Sequence, residues 1–405
     1  MSVRDALVRH VLAATCLMVV VSCSVTERAR DPQAPLDDDP PAASAESAAP
    51  PSSPEPEQPP VQTPPAASVA VAPQPVPREI VRTRISAVGD IMLDGKARPY
   101  LQRHGYDHAF AQVRPLFADS DLVIGNLEGP LTTASAPLVE KEYLFRSPAQ
   151  PVASALARAG IGAVSLANNH ALDYGLVGLR DTIAALGDAG VEYFGAGETL
   201  DDARSPAVVD TGRVKIGMLG YSNTFPEEFW AGESRGGTAF GHEAQLRADI
   251  AALVQRVDIV VVSFHWGREG TTELRPYQPL LARAAIDAGA DLIIGHHPHV
   301  LQEVERYRDG VILYSLGNFT FGSFSTRATV GAIAHVEFVD GDFAELALQP
   351  LNVNNFEVYF QPRPLAEPQA LQTFDHLRAL SLSSDTQLHW RNGEIVHSPG
   401  VVARP

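Results

Sequence analysis

The stretch Leu292-Ile293-Ile294-Gly295-His296-His297-Pro298-His299 decides the fold. Three apolar residues, two of them β-branched, read as a short buried strand. A glycine ends it, and three imidazoles follow within four residues. The same grammar recurs along the chain. Ile85–Val88 ends in Gly89-Asp90, and Leu122–Ile124 ends in Gly125-Asn126-Leu127-Glu128. Val164–Ala167 runs into Asn168-Asn169-His170, Val260–Phe264 into His265-Trp266-Gly267, and Val311–Tyr314 into Ser315-Leu316-Gly317-Asn318. An isolated Gly-Asp or Asn-His pair is ordinarily a turn or a cap. Repetition of Asp, Glu, Asn and His at the ends of successive strands is not explained by capping. In α/β architectures ligands bind beyond the carboxyl ends of strands.

Helical patterns separate these strands, at His108–Phe117, Pro148–Ala159, Leu176–Leu186, Ala244–Val254 and Pro279–Asp287. Val208-Val209 and Val214–Leu219 read as a hairpin around Thr211-Gly212. After Gly310 the pattern turns to strands, at Val311–Ser315, Ala332–Phe338, Phe343–Leu348 and Val358–Gln361. A helix at Pro368–Leu380 and a weakly patterned tail close the chain. Alternating β and α elements followed by consecutive strands predict an α/β or α+β sheet protein with covered faces.

The 405 residues carry a net charge of −17. Residues 31–77 hold 15 of the 32 prolines, seven acidic residues and no basic one. Such a segment buries too little apolar surface to offset chain entropy. It reads as an extended tether, within a linker spanning 24–80. The part beyond it keeps about −12, which argues against gripping nucleic-acid backbones. The two cysteines, Cys16 and Cys23, both lie near the N-terminus, so Cys-ligated zinc and thiol catalysis are excluded from the folded part.

Arg4 and Arg9 precede an apolar run, Val11–Val21, too short to span a bilayer comfortably. It fits the core of a secretory signal. The run closes in Val20-Val21-Ser22-Cys23, which resembles a bacterial lipobox, with Val20 where Leu is usual. The expectation is a signal over 1–23, lipid on Cys23, and an exported, membrane-anchored lipoprotein in the periplasm or at the cell surface. A main domain is expected over 81–362 and a C-terminal helix and tail over 363–405.

By composition, the strand-end set suits metals that take imidazole and carboxylate together. Two such metals can clamp the attacking and leaving oxygens of a hydrolytic reaction. A bridging carboxylate, Glu128 or Asp90, would hold them together. In His297-Pro298-His299 the proline stiffens a turn that can aim both rings at one cavity. Outside these clusters, His104, His108, His242, His335, His376, His389 and His397 are expected at the surface.

The ordered motifs VGDIML (88–93), GNLEGPLT (125–132), LANNHALDYG (166–175), FHWG (264–267), GHHPHVLQ (295–302) and LYSLGNF (313–319) resemble the bacterial capsule-synthesis CapA family. That family is named for poly-γ-glutamate capsule production and is similar to the calcineurin-like metallophosphoesterases. The resemblance implies an α/β fold, a four-layer α/β/β/α sandwich of the metallophosphoesterase type. It implies two divalent metal ions (Mn, Fe or Zn) and a site at the strand carboxyl ends. Asp90 would be the first-strand ligand, with Asn126 and Glu128 in the place of the second-strand carboxylate motif. Asn169, His265, His297 and His299 would also be ligands, and His170 the acid beside the leaving group. The chain departs from the phosphoesterase pattern twice. Met92 stands where Asp-x-His would put a histidine, and Asn126 stands where a bridging aspartate is usual.

The implied function is metal-dependent hydrolysis in the synthesis, release or trimming of an anionic surface polymer such as poly-γ-glutamate, alongside capsule machinery in the cell envelope. A second reading is a non-catalytic polymer-binding scaffold that keeps the pocket, helped by an Arg patch such as Arg146, Arg268 and Arg275. A third is a periplasmic phosphatase unrelated to capsule, acting on a phosphoester.

Overall fold

The computed structural model describes residues 80–384 and 386–398. The expected signal, tether and both cysteines therefore lie outside the described residues. Among the described residues no helix is long and apolar enough to cross a membrane.

Two sheets form the centre of the molecule. In the larger, Arg82–Met92 runs parallel to Leu122–Leu127, which runs parallel to Ala163–Ser165 and then Glu192–Phe194. On its other side Arg82–Met92 pairs antiparallel with Val330–Val339, followed by Asp342–Asn352 and Glu394–His397. The second sheet is built on four parallel strands, Lys215–Ser222, Ile259–His265, Leu292–His296 and Gly310–Leu313. Antiparallel edges, Ala207–Asp210 and Val304–Tyr307, close it.

Side chains alternate across a strand, and the alternation explains the layers. Ile85, Ala87 and Ile124 point from the larger sheet into a core shared with Ile216, Met218, Val261, Ile294 and Leu313 of the smaller. Their neighbours Val88 and Val123 point the other way, against Val152 and Leu156 of helix Ala149–Ala159 and Leu179 and Leu186 of helix Gly175–Ala189. On the outer face of the smaller sheet, Val260, Val262, Phe264 and Ile293 meet Leu246 and Ile250 of helix Glu243–Leu253 and Ala282 and Ala285 of helix Tyr277–Asp287. The result is the expected α/β/β/α sandwich.

Register places the polar clusters side by side. Asp90 is opposite Asn126, and Asn126 opposite Ser165. In the second sheet His265 is opposite His296. Because these strands are parallel, their carboxyl ends share one edge. Two glycines let the chain at 314–318 cross there. A Cβ on Gly89 would meet the Gly317 carbonyl oxygen at 2.0 Å, and one on Gly295 the Tyr314 carbonyl oxygen at 1.9 Å.

Four local expectations need correction. The helical spacing at His108–Phe117 becomes two 3-10 turns, Tyr106–Phe110 and Arg114–Phe117. Pro115 lacks the N–H that a continuous helix would use there, yet Phe110, Val113 and Phe117 still share one core. The strand expected at Val358–Gln361 is instead the end of a short helix, Asn355–Val358. The Asn354 side chain caps it, and Tyr359 and Phe360 turn left-handed after it. The tail beyond the last helix forms a hairpin, His389–Arg391 with Glu394–His397, that extends the larger sheet. His335 and His397 are buried rather than at the surface. His335 Nδ1 lies 2.7 Å from Ser86 Oγ on the adjacent strand, and His397 Nδ1 lies 2.9 Å from the Gln387 carbonyl oxygen.

Candidate metal centre

The strand ends bring Asp90, Asn126, Glu128, Asn169, His265, His297 and His299 to one edge, with His170 beside them. Glu128 follows Leu122–Leu127 directly, and its carboxylate is buried. It belongs to two donor groups at once. Glu128, His297 and His299 offer atoms within 4.8 Å of one another, and so do Asp90, Glu128 and His265. Glu128 Oε1 lies 3.8 Å from Nε2 of both His265 and His299. This is the geometry of a shared carboxylate, as the spacing of Glu128 after Asn126 suggests.

His297 and His299 both adopt positive φ, at 94° and 60°. Non-glycine residues seldom sit there, and such backbone tends to gather at functional sites. The two rings lie 6.0 Å apart, flanking the stiff Pro298. His299 Nδ1 is 3.0 Å from both Asp90 Oδ2 and Asn318 Oδ1. Two oxygen acceptors fix the proton on Nδ1 and leave Nε2 to face Glu128. Hydrogen bonding of one imidazole nitrogen orients the other toward a metal in many sites.

Asn126 departs from its expected role as a ligand. Asn168 donates from Nδ2 to the Leu127 carbonyl and accepts the His170 N–H on Oδ1. That fixes the Asn168 amide, which therefore donates to Asn126 Oδ1 at 3.0 Å. Asn126 must then turn its NH2 toward the cavity, where it donates to Asp90 Oδ1 at 2.8 Å. An NH2 group has no lone pair for a metal, so Asn126 orients Asp90 instead. Asn169 presents its side-chain oxygen Oδ1, which accepts from His265 Nε2 at 2.8 Å.

The electrostatics suit a cation. Burial pushes the Glu128 carboxyl well above its ordinary range. Burial would do the same to Asp90, but the imidazoles of His296 and His299 hold it well below. Burial also lowers His297 to about 3 and His265 well below the usual imidazole range, keeping both rings in the neutral form that offers a lone pair. Burial acts on His299 too, yet Glu128 and Asp90 lift it to about 9. The two carboxylates thus attract positive charge to this point.

Among the described residues, the buried atoms Glu128 Oε1, His297 Nδ1 and His296 Nε2 have no hydrogen-bond partner, while His296 Nδ1 lies 3.3 Å from Asp90 Oδ1. Buried polar groups are normally satisfied. A cluster of orphaned carboxylate and imidazole atoms is what a divalent cation would satisfy, so the residues fit the expected metals.

His170 lines the same cavity as Glu128 and His299. Its Nδ1 lies 2.8 Å from Asp173 Oδ2 and 3.2 Å from Lys141 Nζ. Lys141 also donates to Asp173 Oδ1 at 2.8 Å and to the Asn169 carbonyl at 2.5 Å. With Nδ1 engaged, Nε2 is the atom left for the cavity that His170 lines together with Glu128 and His299. Burial lowers the imidazole, and Asp173 opposes that shift. The cavity measures about 380 Å3 and is walled by Tyr143, Phe145 and Phe321.

Sequence reasoning placed Asn168, His296 and Asn318 in the strand-end clusters without giving them a role, and it missed Asp173 and Lys141 as parts of the site. Asp173 had a signal, since His-x-x-Asp places two side chains within reach across a turn. Lys141 had none, because the loop that carries it has no periodicity. Met92 is buried, and its Sδ accepts the Asp94 N–H at 3.3 Å. Arg146 is committed to the Ala134 carbonyl and to the face of Tyr174, so it is not free to serve an anion patch.

Residues 84–323 match the family described as bacterial capsule synthesis protein PGA_cap. The capsule biosynthesis protein CapA of Bacillus anthracis is 36% identical over 282 residues, covering 68% of this chain and 69% of that one. The PGA biosynthesis protein CapA of Bacillus subtilis is 34% identical over 271 residues, covering 66% and 71%. Among solved structures, a calcineurin-like phosphoesterase, YfkN of Bacillus subtilis, shares 15% identity at a TM-score of 0.37, covering 65% of this chain and 88% of that one. The NAD nucleotidase of Haemophilus influenzae shares 10% at 0.41, covering 74% and 63%. With more than half of its length matched by the family and relatives 34–36% identical to it, the chain belongs to the bacterial capsule synthesis protein family.

Proposed function

We propose that this protein is an exported, lipid-anchored hydrolase that uses divalent metal ions to cut or trim an anionic surface polymer, poly-γ-glutamate being the candidate its relatives' names suggest. The observation that carries the reading is Glu128, one buried carboxylate shared by two donor groups on the floor of a cavity. His297 and His299 would complete one group, and Asp90 and His265 the other. A bound metal pair supplies positive charge that polarises the scissile group and lowers the pKa of water.

The chain's own residues do the rest. Asp173 accepts the Nδ1 proton of His170 and holds the ring so that Nε2 faces the cavity. Lys141 holds Asp173 in turn. From that position His170 protonates the leaving amine or alcohol as the amide or ester bond breaks, a role worth about 10²–10⁴-fold in rate. Phe145, with its ring 4.5 Å from His170, and Phe321, 4.6 Å from His299, narrow the access of bulk water.

The test is to measure metal content of the purified full chain and then turnover of poly-γ-glutamate and of a phosphodiester panel with manganese, iron or zinc. Cleavage of poly-γ-glutamate that chelator abolishes is the expected result. Full metal loading with no turnover of any substrate overturns the catalytic claim.

A second reading, a polymer-binding scaffold without catalysis, draws on Met92 and Asn126. Each removes a ligand that the phosphoesterase pattern supplies. Polymer binding that persists with chelator and in His297→Ala favours it.

A further inference from the structure

The metal cavity has a neighbour, and the two meet at one side chain. A second cavity of about 430 Å3 shares Arg327 with the first. Arg327 lies across the rim, its Cδ and Nη1 3.9 Å from where a Cβ on Gly270 would sit, and Gly270 lines the metal cavity. Among the described residues its guanidinium has no carboxylate partner.

Beyond Arg327 the wall is rich in carboxamides. Gln369, Gln372 and His376 repeat at helical spacing and share one face of helix Glu367–Leu380. The same helix buries Ala370 and Leu377. Among the described residues the Gln369 and Gln372 side-chain amides have no hydrogen-bond partner. Among the described residues Glu357 is the one carboxylate on this wall. Asn352 and Asn354 each donate to it at 2.8 Å, which blunts its charge.

We infer that the second cavity is an extension of the substrate site, and that it takes the flanking segment of a polyamide with pendant carboxylates. The inference rests on the reading above that the metal cavity works on an anionic polymer. Arg327 would pair with a carboxylate of the segment leaving the metal cavity, in the bidentate way guanidinium favours. Gln369 and Gln372 would meet the amide links, because a carboxamide offers one donor group and one acceptor, as an amide link does. A phosphodiester chain has only acceptors along its backbone and would set its charge against the glutamine carbonyls and Glu357.

The experiment titrates the full chain with γ-glutamate oligomers of increasing length, and with glycerol-phosphate oligomers of matched length. Wild type, Arg327→Glu and the double variant Gln369→Ala/Gln372→Ala are compared, with thermal melting as a check on folding. The expected result is wild-type affinity for γ-glutamate that rises with length. Arg327→Glu should remove about tenfold of that gain, the worth of one charge-assisted pair, and the glutamine double variant should flatten it. A length gain unchanged in both folded variants overturns the extended site while leaving the proposed substrate intact. No binding of any γ-glutamate oligomer by wild type overturns the substrate reading itself. A length gain with glycerol-phosphate alone assigns the groove to phosphodiesters and overturns the inference.

Discussion

Asp173 Oδ2 lies 2.8 Å from Nδ1 of His170, three residues earlier on the same turn. The carboxylate is fully buried and also accepts the Phe145 N–H at 2.8 Å, so it has little freedom to move away.

His170→Ala should lose about 10²–10⁴-fold in rate and keep its metal. The loss should shrink for substrates whose leaving groups need no proton. Asp173→Asn should lose rate in the same direction and move the pH profile of the remaining activity, since the amide supports the imidazolium less well. Metal content measured alongside rate decides the matter. If His170→Ala strips metal as fully as the His297→Ala/His299→Ala double variant, His170 is a ligand.

Glu128→Gln should empty both donor groups, because each depends on that carboxylate. His265→Ala should weaken one group and spare more of the other. Metal should also raise the melting temperature of the wild type, with native-state binding adding about 2.7 kcal/mol at a hundredfold excess over Kd. Elemental analysis and melting curves check both statements. Equal metal retention in Glu128→Gln and wild type rules out the shared-carboxylate arrangement.

Gly295→Ala should destabilise the fold and disturb the histidine turn together. The added methyl meets the Tyr314 carbonyl oxygen at 1.9 Å, and Gly295 directly precedes His296. Overpacking of this kind costs about 1–3 kcal/mol or more. Denaturant melts and metal titration on the same sample read the two effects, and a fully stable variant contradicts the close crossing.

Acid stability should depend on His335. Burial lowers this imidazole to about 4, with Arg84 adding to the effect. The folded protein then binds fewer protons than the unfolded chain between about 4 and 6.5. The stability contributed is present above about 6.5 and is lost as pH falls through about 4, up to about 3 kcal/mol in all. His335→Gln should flatten that part of the stability–pH curve. Urea melts from pH 7 to 4 check it, and an unchanged slope refutes the assignment.

Lipid on Cys23 is the last expectation. Cys23→Ala should leave an unprocessed precursor or a soluble form, and it should abolish metabolic fatty-acid labelling. Labelling that persists in the variant contradicts anchoring at this residue.

Much of the fold was legible because each parallel strand is an apolar run that stops at a polar cluster. Val260–Phe264 and Leu292–Ile294 are buried on both faces, so no alternation obscures them. Elsewhere local signals gave way to tertiary ones. Val358 and Phe360 look like a strand because both are apolar at alternate positions, yet Val358 is buried at the end of a short helix and Phe360 fills the core from the left-handed turn after it. His335 sits in a strand whose other side chains are mainly apolar, and only its partner Ser86, far away in sequence, satisfies it. The role of Asn126 could not be read from its position in a motif. It depends on how Asn168 is anchored, and that anchoring uses a backbone carbonyl and an N–H that sequence does not reveal.

Asp90 and Glu128 stand at the edge of one sheet, and His265, His297 and His299 at the edge of the other. Between the sheets the contact is apolar, close-packed and without preferred direction. The polar cluster is directional, and it acts as a stitch at the open end of that seam. A ligand gripped from both sides shares its binding energy between the two layers. Shear between them must then loosen the site before it separates the core. Binding and mechanical resistance to sliding are in this protein two readings of the same few contacts.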